Sequence, residues 1–305
     1  MKKIRKLSIR PFLWRRMKEK AIENFFRTHG LLAVFILIGI FSLLFTEGLP
    51  ALKALGLKPF FLNARWDPTS PVEESYGLLA MLVSTLMTTL GAMIIAVPAG
   101  IGCAAYIADV ASPRTREIVK PVIEILAGIP SVVVGFLGII VIGPFLARVF
   151  GTSNGLNAVN GSVLLAVMSL PTIISISEDA IISVPREYKN ASLALGASRW
   201  QTLIRVTIPA AMSGIIAAVM LGMGRAIGET MTVLMACGNA PAMPGSFLDS
   251  VRTMTATIAI ELGETVQGGL HYQSLFVIAL VLFLMTFLVN LVSDLVLQKY
   301  QKNLQ

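Results

Sequence analysis

EYKNASLALGASRWQTLIRVTIP, residues 187–209, is a polar, helix-forming stretch set between two long apolar segments. Ala191 and Ala194 are small and helix-favouring, Gly196 permits a sharp turn, and Pro209 belongs in the first turns of the following helix. Arg199 and Arg205 give the loop positive charge. Counted from Asn190, the spacing is Asn190-Ala191-Ser192, three residues, Gly196, nine residues, then V-T-I-P ending at Pro209. A loop of this kind is either a docking element for a partner or an ordinary basic loop held on one side by the positive-inside rule.

The surrounding composition decides what the loop connects. Of the 305 residues, 55% are hydrophobic and 14% charged, with mean hydropathy +0.77. Several apolar runs far exceed the 18 or so residues that mark a membrane helix, so the chain reads as an all-α polytopic membrane protein. A net charge of +8 would suggest nucleic acid in a soluble chain. Here the basic residues gather in loops on one side, where topology and anionic lipid explain them without nucleic acid. Cys103 and Cys237 lie in or beside apolar segments without metal-ligand spacing, and His29 and His271 are isolated. No metal site or cofactor in this chain is expected.

Working outward, residues 1–30 carry ten Lys or Arg. Leu13, Met17, Ala21 and Phe25 recur at helical spacing, which suits a basic amphipathic helix on the membrane surface with Trp14 at the interface. A solvated basic tail fits as well, whereas the long basic region and the lack of a cleavage site speak against a signal peptide. A first membrane helix is expected over 31–48 and a proline-punctuated outer loop over 49–75, whose Trp66 is either part of a meaningful 60–68 run or merely an interfacial aromatic. One membrane domain is expected over 76–298. Its membrane spans are expected at about 76–108, 121–147, 161–185, 206–237 and 272–297, with the loop 186–205 between the fourth and fifth. Glu124 sits near the entrance of the third span, and Glu178 and Asp179 end the fourth. Of 25 basic residues, 19 fall in the N-terminal segment, the loop after the second span, the 186–205 loop and the C-terminal tail. Six spans with both termini and the 186–205 loop in the cytoplasm follow.

The fifth span contains LGMGRAIGETM, residues 221–231. Arg225 and Glu229 are four apart, which on a continuous helix places them on one face. Gly224 and Gly228 form a G-x-x-x-G step suited to close helix packing. An arginine inside a membrane must pair or face water. Composition leaves two readings open: a self-neutralising pair that lets the helix insert, or a cation on a translocation path with Glu229 orienting it and limiting how tightly an anion binds.

The 190–209 spacing resembles the EAA signature of ABC-importer membrane subunits, with Asn190 where that family has Glu and Ser192 where it has Ala. Three further runs, FFLNARWDP (60–68), EILAGIPS (124–131) and LGMGRAIGET (221–230), occur in order and resemble PstC-type permease subunits of bacterial phosphate ABC importers. The resemblance implies a type I ABC-importer permease fold of the MetI-like kind, in which residues 187–200 dock on an ATPase. It implies a homologous second permease subunit (PstA-type), a dimer of ATPase subunits (PstB-type) and an extracytoplasmic phosphate-binding protein (PstS-type) as partners. It favours Arg225 and Glu229 as anion-path residues in a bacterial plasma membrane. No Walker motif is present, consistent with ATP hydrolysis on another polypeptide. The same architecture carrying molybdate or sulfate is the main alternative. A secondary transporter would leave the loop spacing unexplained and lacks an evident inverted repeat, and a membrane enzyme lacks a nucleophile–base set.

Overall fold

Chain flexibility is restricted early: Arg10–Leu55 is a single 46-residue helix, α1. The computed structural model describes residues 10–302; the interfacial placement expected for residues 1–9 and for the Trp14 side chain lies outside what is described. A surface segment separate from the first span is not found, because the helix runs through Gly30 without a break. One glycine costs a helix only about 1 kcal/mol, and no proline follows until Pro50. From Glu19 to Leu43 the side chains are exposed, and α1 meets the rest of the chain near Phe41, whose ring lies 5.9 Å from that of Phe283.

Instead of an irregular loop over 49–75, the last turns of α1 continue to Leu55, followed by α2 (Leu57–Leu62). A two-residue hairpin then pairs β1 (Trp66–Asp67) with β2 (Ser75–Tyr76). The second span is α3, Leu79–Val110, which Pro98 does not interrupt. It closes in a π turn, where Ala111 N–H donates to Tyr106 at 2.8 Å. The third span differs from its expected limits. Residues 113–127 form a separate amphipathic helix, α4 (Pro113–Ala127), with no buried residue. The membrane-length helix α5 starts at Ser131 and runs to Phe150. Pro130 disfavours helical geometry in the residue before it, and Gly128 lies two residues earlier, so the chain turns between α4 and α5. Glu124 consequently lies exposed on α4 rather than within a span.

The fourth span, α6 (Ala158–Ile182), is capped by the Asn157 side chain, which accepts from the Asn160 N–H. The loop helix α7 (Arg186–Ala194) leads into α8 (Arg199–Ala210) and α9 (Met212–Gly228), which meet at a 70° bend. Pro209, which has no N–H to give, stands three residues before the start of α9. The expected fifth span therefore breaks twice: at this bend, and again after Gly228, beyond which α10 (Met231–Ala236) and α11 (Met254–Glu261) follow. The last span is α12, Leu270–Lys302. Among the described residues, five helices are long and apolar enough to cross a membrane, or six with the bent pair counted as one.

The centre is built where α3, α6 and α9 pack. Small side chains there (Ala92, Ala96, Ala166, Ala226) let helix backbones approach closely around Ile173. Asn160 is fully buried and ties this centre to α5: its Nδ2 donates to the carbonyls of Gly138 (2.9 Å) and Gly155 (3.0 Å). Asn160→Leu leaves both carbonyls without that donor. The expected loss is about 2–3 kcal/mol, a fall in apparent melting temperature of roughly 5–10 °C in detergent. An unchanged melting curve would rule out this anchoring role.

At the end of the bundle opposite α7, Glu261 gathers separate segments. It accepts from the Trp66 indole N–H (2.9 and 3.1 Å), from Arg252 (2.8 Å), and pairs with His271 Nε2 at 2.8 Å. Trp66 is thus buried against the bundle and is no interfacial aromatic, and His271 is not isolated.

Candidate functional site

Two places concentrate the residues singled out from the sequence: the 186–210 loop and the break after Gly228. In the loop, Leu195 ends α7 and Gly196 follows at φ +84°, a left-handed conformation natural to glycine. Gly196 N–H donates to Leu193 (3.0 Å) and Ala197 N–H to Ser192 (3.2 Å), the paired bonds of a Schellman ending. The next helix begins at once. Ser198 accepts from Gln201 N–H at 3.2 Å, while the Gln201 side chain accepts from Ser198 N–H at 2.8 Å, a capping box. Ser192 Oγ meets Thr202 Oγ1 at 2.9 Å, so α7 and α8 fold on each other as a helix–turn–helix. Asn190 and Ala191 are exposed and Ser192 half-buried.

The loop also displays apolar side chains that motif spacing alone did not single out. Leu195 is 91% and Trp200 65% exposed, with Tyr188 and Leu193 also exposed. Large apolar groups clustered on a polar loop mark an interaction surface. Their signal in the sequence was an aliphatic and an aromatic residue flanking Gly196 within an otherwise polar loop.

At the second place the geometry departs from a simple helical face. The α9 helix ends at Gly228, and Glu229 adopts extended backbone (φ −69°, ψ 132°). Its carboxylate Oε1 accepts from the N–H groups of Thr230 (3.1 Å) and Thr232 (3.4 Å), capping α10, where the helix dipole favours negative charge. The Glu229 carboxylate is thus engaged by backbone donors of the next helix, and among the described residues it forms no ion pair with Arg225. Among the described residues Arg225 has no hydrogen-bond or ion-pair partner, and it is exposed. The physical reason is competition: the start of α10 offers the carboxylate unsatisfied backbone donors that an interrupted α9 makes available.

The G-x-x-x-G step is likewise not used for packing within the chain. Space around Gly228 is open, and a Cβ at Gly224 would make only ordinary contact with Asn290 at 3.8 Å. The close approach falls at Gly222, where a Cβ would stand 2.7 Å from Ile173. Leu221, Arg225 and Gly228 instead form an exposed stripe at i, i+4, i+7, a face left uncovered by this chain.

The break itself is held from two sides. Thr255 Oγ1, at the start of α11, donates to the Glu229 carbonyl at 2.8 Å, and Thr232 Oγ1 donates to the Ser131 carbonyl at 3.2 Å. Thus the last residue of the EILAGIPS run meets the chain two residues beyond the LGMGRAIGET run, about a hundred positions on in sequence.

The chain matches the family described as "Binding-protein-dependent transport system inner membrane component" over residues 96–302. "Probable ABC transporter permease protein YqgH" of Bacillus subtilis (strain 168) is 38% identical over 258 residues, covering 84% of this chain and 81% of that protein. "Phosphate transport system permease protein PstC" of Mesorhizobium japonicum is 34% identical over 292 residues, covering 90% and 88%. Among solved structures, a bacterial alginate ABC transporter in complex with alginate pentasaccharide-bound periplasmic protein aligns with TM-score 0.58 and 16% identity over 92% of this chain and 95% of that one. The inward-facing MetNI methionine ABC transporter aligns with TM-score 0.53 and 19% identity over 73% and 94%. At those identities the structural likeness speaks to fold alone. With more than half its length matched, and with relatives above 30% identity along most of it, this chain belongs to the binding-protein-dependent transport system inner membrane component family and has the helical ABC-importer permease fold.

Proposed function

We propose that this chain is a membrane-spanning permease subunit of an ATP-driven importer that moves inorganic phosphate into the cytoplasm by alternating access. The observation that carries this reading is the placement of Arg225. An unpaired guanidinium on an exposed stripe of an apolar helix is costly in lipid, so that face lines a wet path completed by a second, homologous permease subunit (PstA-type). Relatives named for phosphate transport support the choice of anion. The exposed Leu195–Trp200 surface takes a PstB-type ATPase dimer, and the opposite end of the bundle receives a PstS-type binding protein. The chain itself transports and does not hydrolyse ATP. In this reading it sits in the bacterial plasma membrane with both termini and α7 cytoplasmic, an orientation that the distribution of basic residues supports.

ATP binding closes the two ATPases and displaces α7. The bundle opens toward the loaded binding protein, and phosphate passes a cation that attracts without chelating it. Hydrolysis returns the path to the inward-facing state. The test is ATPase activity of the reconstituted complex with its binding protein. Stimulation by phosphate-loaded binding protein, with none by sulfate or molybdate, is the expected result. Stimulation by a different oxyanion discards phosphate, and failure to associate with any ATPase removes the permease mechanism.

A further inference from the structure

Glu178 is a buried carboxylate on α6, 2% exposed, whose one ionic contact among the described residues is Lys120 Nζ of α4 at 3.5 Å. Its other oxygen, Oε1, has no hydrogen-bond partner. A carboxylate buried with half its acceptor capacity unused is unfavourable, and 3.5 Å is roughly 0.7 Å longer than a well-formed charge-assisted contact. The pair is slack in this conformation.

The helix on the other side of the pair is loosely held. α4 has no fully buried side chain; Val119 and Ile123 pack on a neighbouring apolar cluster. Its remaining ties are charged. Arg116 donates to the Ile107 and Ala108 carbonyls at 2.6–3.0 Å, and Lys120 reaches Glu178. The adjoining Asp109 binds Lys189 of α7 at 2.7 Å. At its far end α4 is separated by three residues from Ser131, whose carbonyl receives Thr232 beside Glu229. A charged chain therefore runs from the loop helix α7, through Asp109 and the end of α3, into α4, and on to the break below Arg225.

We propose that α4 is the strut that carries displacement of α7 to the Glu229 break, and that Glu178 is its positioning residue, drawing Lys120 inward as α4 slides along α6. The proposal rests on the functional reading above. In the alternate state the Lys120–Glu178 contact shortens and the unused oxygen gains a donor. Coupling carried this way needs a charge of each sign, in either order.

The experiment uses the full complex in proteoliposomes with its ATPase and phosphate-loaded binding protein, and reads phosphate moved per ATP hydrolysed together with copurification of the ATPase. Lys120→Met and Glu178→Gln are each expected to lower the ratio about tenfold, within the 5- to 150-fold span common for coupling between sites, with copurification unchanged. The exchanged pair, Lys120→Glu with Glu178→Lys, recovers at least half of the ratio. The neutral pair, Lys120→Met with Glu178→Gln, does not. Lys120 is 44% exposed, so Lys120→Met keeps the test open should Glu178→Gln fail to assemble. An unchanged ratio in assembled single variants overturns the proposal, as does full recovery by the neutral pair, which would mark a structural role only. A wild-type complex that moves no phosphate counts against the functional reading and this proposal together; a working wild type with unaltered variants counts against the proposal alone.

Discussion

Replacing Arg225 with glutamine is expected to reduce phosphate uptake by roughly tenfold to a hundredfold, the equivalent of losing a charge-assisted contact of about 1.5–3 kcal/mol, while the complex still assembles. Among the described residues Arg225 makes no hydrogen bond or ion pair that its loss would break, so the change is expected to leave the fold intact. In the proposed reading its desolvation cost, several kcal/mol in a membrane, is offset because the side chain serves the path. Arg225→Lys keeps the charge but loses the planar fork that matches an oxyanion, and is expected to fall between wild type and Arg225→Gln. Glu229→Gln should be the milder change, since an amide oxygen can still accept from Thr230 and Thr232. Uptake assays on purified, reconstituted variants decide this. Full transport by an assembled Arg225→Gln complex would sink the path assignment, and equal losses for Glu229→Gln would revive the idea that the two residues act as a pair.

The second large effect is expected at Gly196. A Cβ there would meet nothing within 4 Å, so a substituted side chain does not clash inside this chain. The penalty is conformational: φ +84° costs a residue with a Cβ about 1–2 kcal/mol, and more if it is β-branched. Gly196→Val should unwind the turn between α7 and α8, misplace Leu195 and Trp200, and reduce ATPase copurification about tenfold. Asparagine tolerates the left-handed region, and Gly196→Asn is expected to stay near wild type. Leu195→Asp offers a control that leaves the turn intact. Burying a leucine at an interface contributes about 1.5–3 kcal/mol, so this change alone should weaken association tenfold or more. Wild-type copurification by both Gly196→Val and Leu195→Asp would show that the ATPase docks elsewhere.

These two sites were legible in the sequence to different degrees. The loop was legible nearly whole, because its signals are local. A glycine that must turn and alanines that favour helix act within a few residues of one another. The spans were legible as apolar length, yet their limits were not: α1 runs through Gly30, and the third span begins ten residues later than expected. Hydropathy registers how long a segment is apolar. It does not register that Pro130 with Gly128 turns the chain while Pro98 leaves α3 intact, because neighbouring helices decide whether freed backbone groups are satisfied.

Sequence by itself determined the class of molecule, the presence of five or six apolar spans, the position of the polar 186–205 loop and the presence of an arginine, Arg225, within an apolar segment. Each of these depends on side-chain type and local spacing, which tertiary contacts do not change. Tertiary structure alone decided that Glu229 leaves the helix to cap α10 instead of pairing with Arg225, that Gly222 and not Gly224 or Gly228 is the close-packing glycine, and that Glu178 is buried with half its oxygens unused. Those outcomes turn on which backbone donors, side chains and cavities lie across the bundle. A carboxylate settles on the nearest unsatisfied donors, and only the folded chain places those donors within its reach.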